Sequence, residues 1–245
     1  NFFVSFIFTK IWLHYIKKFD AVVVISDQLK KIYECKLKSI SRVYNGIDIT
    51  YRPDKNDPSI IAQINKFRDL NYKIIGSYAY LTRIKGLEQL IKVLEKRKDL
   101  AVVIIGEGEA KNELIELSRT LNVIDRTLFL DYLPTPYNYL SLFDVYAMCS
   151  RSEGFGLAAV EATLMQTPVV CSNISIFKEI FDDTKVSFFE LDNISSLLES
   201  INIAISTIGK LKAKVALNYS LNNFSGYKMA SNYLDIYSNL LNGKI

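Results

Sequence analysis

Residues 73–189 alternate short apolar runs with stretches of helical period, and no other property of this sequence narrows its fold so far. The runs fall at 73–79, 101–105, 127–130, 144–149, 169–171 and 186–189, with helix-forming segments at 87–96, 110–121, 136–143 and 157–165. Short apolar runs separated by helices cannot pair as hairpins. Crossovers make neighbouring strands parallel and cover both faces of the sheet. The expectation is an α/β fold, a doubly wound parallel sheet of Rossmann-like type. With the usual strand order 3-2-1-4-5-6, the sheet reverses between its first and fourth strands, and ligands bind at that reversal, beyond the carboxyl ends of the strands. The loop after the first run is YLTRIKG, Tyr80 to Gly86, and the loop after the fourth is SRSEGFG, Ser150 to Gly156. The pattern by itself therefore sets Arg83 and Lys85 opposite Glu153.

The fourth loop runs into a helix and carries two acids, Glu153 and Glu161, with seven residues between them. Gly154 and Gly156 let the backbone approach a ligand, and the first amides of a helix lack intrahelical partners and favour an anion. A pyrophosphate fits on the amides of Gly154, Phe155, Gly156 and Leu157, with a carboxylate on either side to accept hydrogen bonds from sugar hydroxyls. Two carboxylates beside a pyrophosphate repel it, so the site requires cations, which Lys85 and Arg83 supply. The plainer alternative is that Ser152 caps the helix and both acids merely complement its dipole, worth about 0.3–1 kcal/mol each.

SEGFGLAAVEA followed by TPVV resembles the donor-site signature of glycosyltransferase family 4, retaining sugar transferases of the GT-B architecture. The resemblance implies that Glu153 contacts donor-sugar hydroxyls, that Glu161 holds the nucleotide ribose, and that Lys85 before Gly86 stabilises the leaving diphosphate. Gly106 and Gly108, in IIGEGEA, resemble the family's glycine turn at the edge of the donor pocket. FLDYLP, which includes Leu133, resembles the stretch whose backbone meets the nucleotide base. Glu179 corresponds to an acid that the family often carries, with a plain surface helix as the alternative. Four positions depart from the family: Tyr80 stands where an arginine is common, Asp131 and Gln166 where glycine is usual, and Gly226 where tryptophan is frequent. A competing nicotinamide-binding reading of Gly106 and Gly108 fails because the third glycine of that motif would fall at Lys111.

The resemblance divides the chain into the tail of an amino-terminal acceptor domain (1–48), a nucleotide-sugar-binding Rossmann-like domain (49–222) and a carboxy-terminal crossover helix (223–245). It implies transfer of a hexose-type sugar from a nucleoside-diphosphate sugar, with a missing amino-terminal domain or partner subunit supplying the acceptor. A non-catalytic or split sugar-nucleotide-binding subunit is the alternative. Residues 21–25 read as a buried strand, Ser26 or Asp27 as the following cap, Asn45 and Gly46 as a turn, and 51–70 as a linker with a short helix. Tyr227, Ala230, Leu234, Tyr237 and Leu241 recur at helical spacing and form an aromatic stripe, mostly a core signal; the alternative, since in the family such a helix packs on the first domain, is that some of these tyrosines are exposed in a fragment.

His14 is the only histidine, and no acidic pair is spaced for magnesium near the proposed site, so neither a metal nor a cofactor is expected. Three widely separated cysteines indicate reduced thiols in a cytoplasmic protein. A net charge of +4, dispersed along the chain, argues against nucleic acid. The apolar start, residues 1–18, is too interrupted for a membrane span and reads as a packed helix. Its flanking lysines leave open a peripheral contact with the inner face of a membrane.

Overall fold

The computed structural model describes residues 2–48 and 56–243. In chain order its elements are α1 (Phe2–Ile16), β1 (Val22–Val24), α2 (Asp27–Tyr33), β2 (Ile40–Arg42), α3 (Pro58–Asp69), β3 (Lys73–Tyr78), α4 (Glu88–Lys96), β4 (Leu100–Ile105) and α5 (Lys111–Thr120). There follow β5 (Thr127–Leu130), β6 (Val145–Met148), α6 (Leu157–Leu164), β7 (Val169–Ser172), α7 (Ser175–Ile180), β8 (Ser187–Phe189), α8 (Ile194–Ile205), α9 (Thr207–Asn223) and α10 (Gly226–Leu241). The chain forms two compact units, residues 49–222 and residues 1–48 with 223–245.

In the larger unit six parallel strands run in the order β5-β4-β3-β6-β7-β8, which is the expected 3-2-1-4-5-6 reversal between β3 and β6. Every residue of β4 is buried, as a strand covered on both faces requires. One face packs Leu90, Ile91 and Leu94 of α4, Leu114 of α5 and Leu197 and Ile201 of α8 onto alternate strand residues such as Ile75, Val102, Ile104 and Val170. That alternation follows from the period of two along a strand against the 3.6-residue turn of a helix. Residues 136–142 form a 3-10 turn in place of a regular helix. Helix α6 ends at Leu164, before Pro168, because Gln166 has a φ of 57°, the left-handed region in which glycine is usual. The linker read over 51–70 lies outside the described residues up to position 55. Beyond it stands α3, a 12-residue helix capped by Asp57, whose carboxylate accepts from the Ser59 amide.

In the smaller unit β1 and β2 pair in parallel and Ser26 caps α2, its hydroxyl accepting from the Leu29 amide at 3.1 Å. The strand expected to be buried is only half-buried over Val22–Val24. Asn45 and Gly46 do not make a turn. The chain there is extended: the Gly46 amide donates to Met229 Sδ, and Ile47 bridges Ser225 at the start of α10. Glycine at 46 serves that close approach, since the Ser225 carbonyl oxygen lies 2.4 Å from where a Cβ would stand. The stripe on α10 is exposed, with Tyr227 at 85% and Leu241 at 88%, and the helix buries Ile236 instead.

Candidate functional site

The reversal point is made by the loops after β3 and β6, and several contacts pin them together. Arg151 donates from its backbone to the Ile84 carbonyl and from its guanidinium to the Arg83 carbonyl, each at 2.8 Å, and pairs with Glu88 at 2.6 Å. Gln89, buried beneath, donates to the carbonyls of Gly86 and Cys149 and accepts from the Asp192 amide. Gly86 adopts a φ of 62° and closes the 3-10 turn Arg83–Lys85.

This clamp brings Lys85 to Glu153. The ammonium donates to Oε1 at 2.6 Å, and the Ser150 hydroxyl donates to the same oxygen at 2.7 Å. Among the described residues Oε2 accepts no hydrogen bond. The pair is largely withdrawn from water, with side-chain exposures of 22% for Lys85 and 11% for Glu153. Just beyond it, Gly156 stands at the head of α6 with a φ of 87° and no side-chain cap, so Ser152 does not close the helix. A Cβ on Gly156 would lie 2.4 Å from the Phe177 ring, so only glycine lets the turn pass beneath α7. Phe155 is buried, whereas Gly154 and Leu157 are exposed at the helix start. The uncapped amides and the neighbouring ammonium form a positive end beside a carboxylate.

Glu161 sits one turn into α6, half-buried. Its Oε2 accepts from the Tyr78 hydroxyl at 2.5 Å, while Oε1 accepts no hydrogen bond among the described residues. Burial raises its pKa above the ordinary glutamate value, and the Tyr78 hydrogen bond partly opposes that. Burial also holds the Tyr78 and Tyr146 hydroxyls well above the usual phenol range, so both remain donors at neutral pH.

A cavity of about 430 Å³ opens beyond the ends of β3, β4 and β5, lined by Tyr78, Tyr80, Gly106, Glu107, Tyr132 and Leu133 among others. Gly106 and Leu133 thus share one wall with the two exposed rings of Tyr80 and Tyr132. Lys111 pairs with Glu107 at 2.8 Å and Asp131 at 2.5 Å, which ties the two loops of that wall. Arg83 is not brought to this group. Its guanidinium forms a two-pronged bond with Glu113 on α5, at 3.0 and 2.6 Å, on the far side of its loop. Glu179 lies on α7. Sequence reasoning passed over Tyr78, Ser150 and Gln89. The first two are the last residue of the first strand and the residue two beyond the end of the fourth, where a doubly wound sheet presents its ligand-binding groups.

The family described as "Glycosyl transferases group 1" matches residues 60–216. The O-antigen biosynthesis glycosyltransferase WclY of Escherichia coli is 34% identical over 237 residues, which is 94% of this chain and 63% of that protein. A Campylobacter jejuni N-acetylgalactosamine-N,N'-diacetylbacillosaminyl-diphospho-undecaprenol 4-alpha-N-acetylgalactosaminyltransferase is 29% identical over 178 residues, 71% of this chain and 47% of its own. The chain therefore spans less than two thirds of the length of either relative. Among solved structures, Anabaena Alr3699/HepE in complex with UDP and glucose superposes with a TM-score of 0.82 at 20% identity, covering 94% of this chain and 66% of its own. A glycosyltransferase from Rickettsia africae ESF-5 gives 0.80 at 22% identity, over 94% of this chain and 67% of its own. The shared fold is the α/β arrangement of GT-B glycosyltransferases, with a six-stranded parallel sheet. With the family matched across more than half of its length, the chain belongs to the group 1 glycosyl transferases.

Proposed function

We propose that this chain is the donor-binding half of a retaining glycosyltransferase that moves a hexose-type sugar from a nucleoside-diphosphate sugar to a glycan, lipid or polysaccharide precursor. The observation that carries the reading is the Lys85–Glu153 pair at the head of an uncapped helix, with Glu161 one turn further on. The diphosphate lies on the amides from Gly154 to Leu157 and against the two Lys85 N–H groups not given to Glu153. Glu153 Oε2 accepts from a sugar hydroxyl, Glu161 Oε1 from the ribose, and the base enters the cavity between Tyr80 and Tyr132 beside Gly106 and Leu133.

In the transfer step the bond from the anomeric carbon to the diphosphate oxygen breaks as the bond to the acceptor oxygen forms on the same face. The acceptor proton passes to the departing phosphate oxygen. Lys85 and the helix amides stabilise the charge that develops there. This step asks for no histidine base, and His14 is the chain's only histidine, on α1. Nor does the step, as proposed, route any charge through a metal; Lys85 and the helix amides carry that role. Arg83 joins the site only by releasing Glu113.

Acceptor binding belongs to an amino-terminal domain or partner subunit. Glycolipid acceptors fit the diphospho-undecaprenol in the name of the Campylobacter jejuni relative. Among the described residues no helix is long and apolar enough to cross a membrane. A cytoplasmic enzyme working at the inner membrane face is the arrangement proposed.

The test is thermal unfolding of the chain with UDP, GDP, ADP and, as a control, NAD, repeated on Glu161→Ala. A ligand at 100 times its dissociation constant adds about 2.7 kcal/mol. Stabilisation by one nucleoside diphosphate, lost in the variant, is expected; equal shifts in both proteins would sink the assignment of Glu161. A second reading, a binding subunit without transfer activity, is favoured by Tyr80 and by the engagement of Arg83 with Glu113. A donor that binds but is never turned over when the acceptor half is supplied would select it.

A further inference from the structure

We propose that Tyr78 is a positioning residue for the donor: its hydroxyl occupies one oxygen of Glu161 and presents the other to the ribose, so that this pair sets the chain's preference for ribonucleotides. The inference rests on the reading of Glu161 as the ribose acceptor.

Tyr78 ends β3 and is 8% exposed. Its ring packs on Tyr146 of the neighbouring strand, with centroids 5.0 Å apart, and the Tyr146 hydroxyl donates to the Tyr78 carbonyl at 3.3 Å. Ring and backbone are thus held from β6. The Tyr78 hydroxyl reaches α6 at two points, Glu161 Oε2 at 2.5 Å and the Ala158 carbonyl at 3.4 Å. These acceptors lie three residues apart on one helix face. A glutamate has three rotatable bonds and would sample several carboxylate orientations. A buried, two-torsion aromatic donor fixes one of them at little entropic cost. The oxygen left over, Oε1, accepts no hydrogen bond among the described residues. Tyr78 also lines the cavity assigned to the base, so the fixed carboxylate stands at the edge where a ribose joins base to diphosphate.

The experiment measures by calorimetry the affinity of the chain for the nucleoside diphosphate it binds best among UDP, GDP, ADP and CDP, and for the 2′,3′-dideoxy counterpart. The unmutated chain is expected to prefer the ribonucleotide by about tenfold or more, the value of a hydrogen bond to a charged group. Tyr78→Phe keeps the ring and is expected to lose most of that preference by weakening the ribonucleotide alone. A merely structural role would weaken both ligands equally. Tyr78→Met, which also lacks the hydroxyl, is expected to act alike and serves if the phenylalanine variant unfolds. A preference kept in both Tyr78 variants yet lost in Glu161→Gln overturns the positioning role and leaves the ribose reading standing. No preference in the unmutated chain, one that survives Glu161→Gln, or no binding of any of the four overturns the ribose reading and the inference with it.

Discussion

The loop after β3 carries two cations, and they sit in opposite surroundings. Lys85–Glu153 and Arg83–Glu113 each close at 2.6 Å, but side-chain exposures are 22% and 11% for the first pair against 82% and 55% for the second. Contact distance therefore says nothing about which pair serves a site. Arg83 spends both prongs of its fork on Glu113, in water, where such pairs contribute little. Lys85 spends one of three donors on an oxygen that Ser150 also holds, and keeps the others beside the open end of α6. Inner face and outer face of one loop divide the chemistry.

The sharpest way to break this distinction is Lys85→Ala. It removes the cation facing the diphosphate and leaves the Glu153 carboxylate unpaired next to an anion. Binding of the preferred nucleoside diphosphate is expected to weaken about 100-fold, near 2.7 kcal/mol. Titration calorimetry reads it, and a change below threefold would show that the helix amides alone hold the anion. The next effect belongs to the turn that aims Lys85. Gly86→Ala forces a side chain into a φ of 62° with its Cβ 2.3 Å from the Cys149 carbonyl oxygen. Unfolding in urea is expected to come about 1–3 kcal/mol earlier. An unchanged midpoint would mean that the two loops separate readily and the inner face is not built as a clamp.

The sheet, its strand order and the union of Lys85 with Glu153 were legible because they follow from alternation and from where a doubly wound sheet reverses. The placing of Arg83 was not. Both loop cations satisfy the same pattern, and the choice between them lies in α5, where Glu113 intercepts one before it reaches the site. Tyr78 was hidden for a related reason: a tyrosine ending a strand is ordinary core, and only the crossing of α6 brings an acid to its hydroxyl. For the stripe on α10 the exposed alternative holds over the core one, a choice the sequence left open because period shows that a helix has an apolar face and does not show what lies against it. Ile236, outside the stripe, is the residue it buries.

A pH titration sharpens the inner face further. Burial raises the Glu161 pKa above the ordinary 4.5, with the Tyr78 hydrogen bond pulling the other way and the neighbouring tyrosines neutral. Ribose hydroxyls require the carboxylate. Nucleotide binding is therefore expected to fall by up to about tenfold per pH unit below a midpoint higher than that of a free glutamate, and Glu161→Gln should flatten the limb. For stability the sign is opposite. A raised folded pKa favours the folded state below the unfolded value and disfavours it as pH climbs to the folded one, so Glu161→Gln is expected to be the more stable protein at neutral pH. A variant less stable at pH 7 would mean that the carboxylate is better solvated than its burial implies.

On the outer face the expected effects are the smallest, and that smallness is the test. Arg83 lowers the pKa of Glu113 through their hydrogen bonds, so whatever the pair contributes is present above the ordinary glutamate pKa and lost as pH falls through the depressed one. The pair is open to solvent, and salt screens it. Arg83→Ala is expected to leave both the unfolding midpoint and nucleoside-diphosphate affinity within experimental scatter. Glu113→Gln removes the charge that holds the guanidinium on the outer face. Two outcomes then part the readings. If Glu113→Gln tightens diphosphate binding and the added substitution Arg83→Ala cancels the gain, the outer pair is a latch on a second cation, standing in for the arginine that Tyr80 replaces. If neither variant moves the affinity, Lys85 is the only cation of this loop that the diphosphate meets.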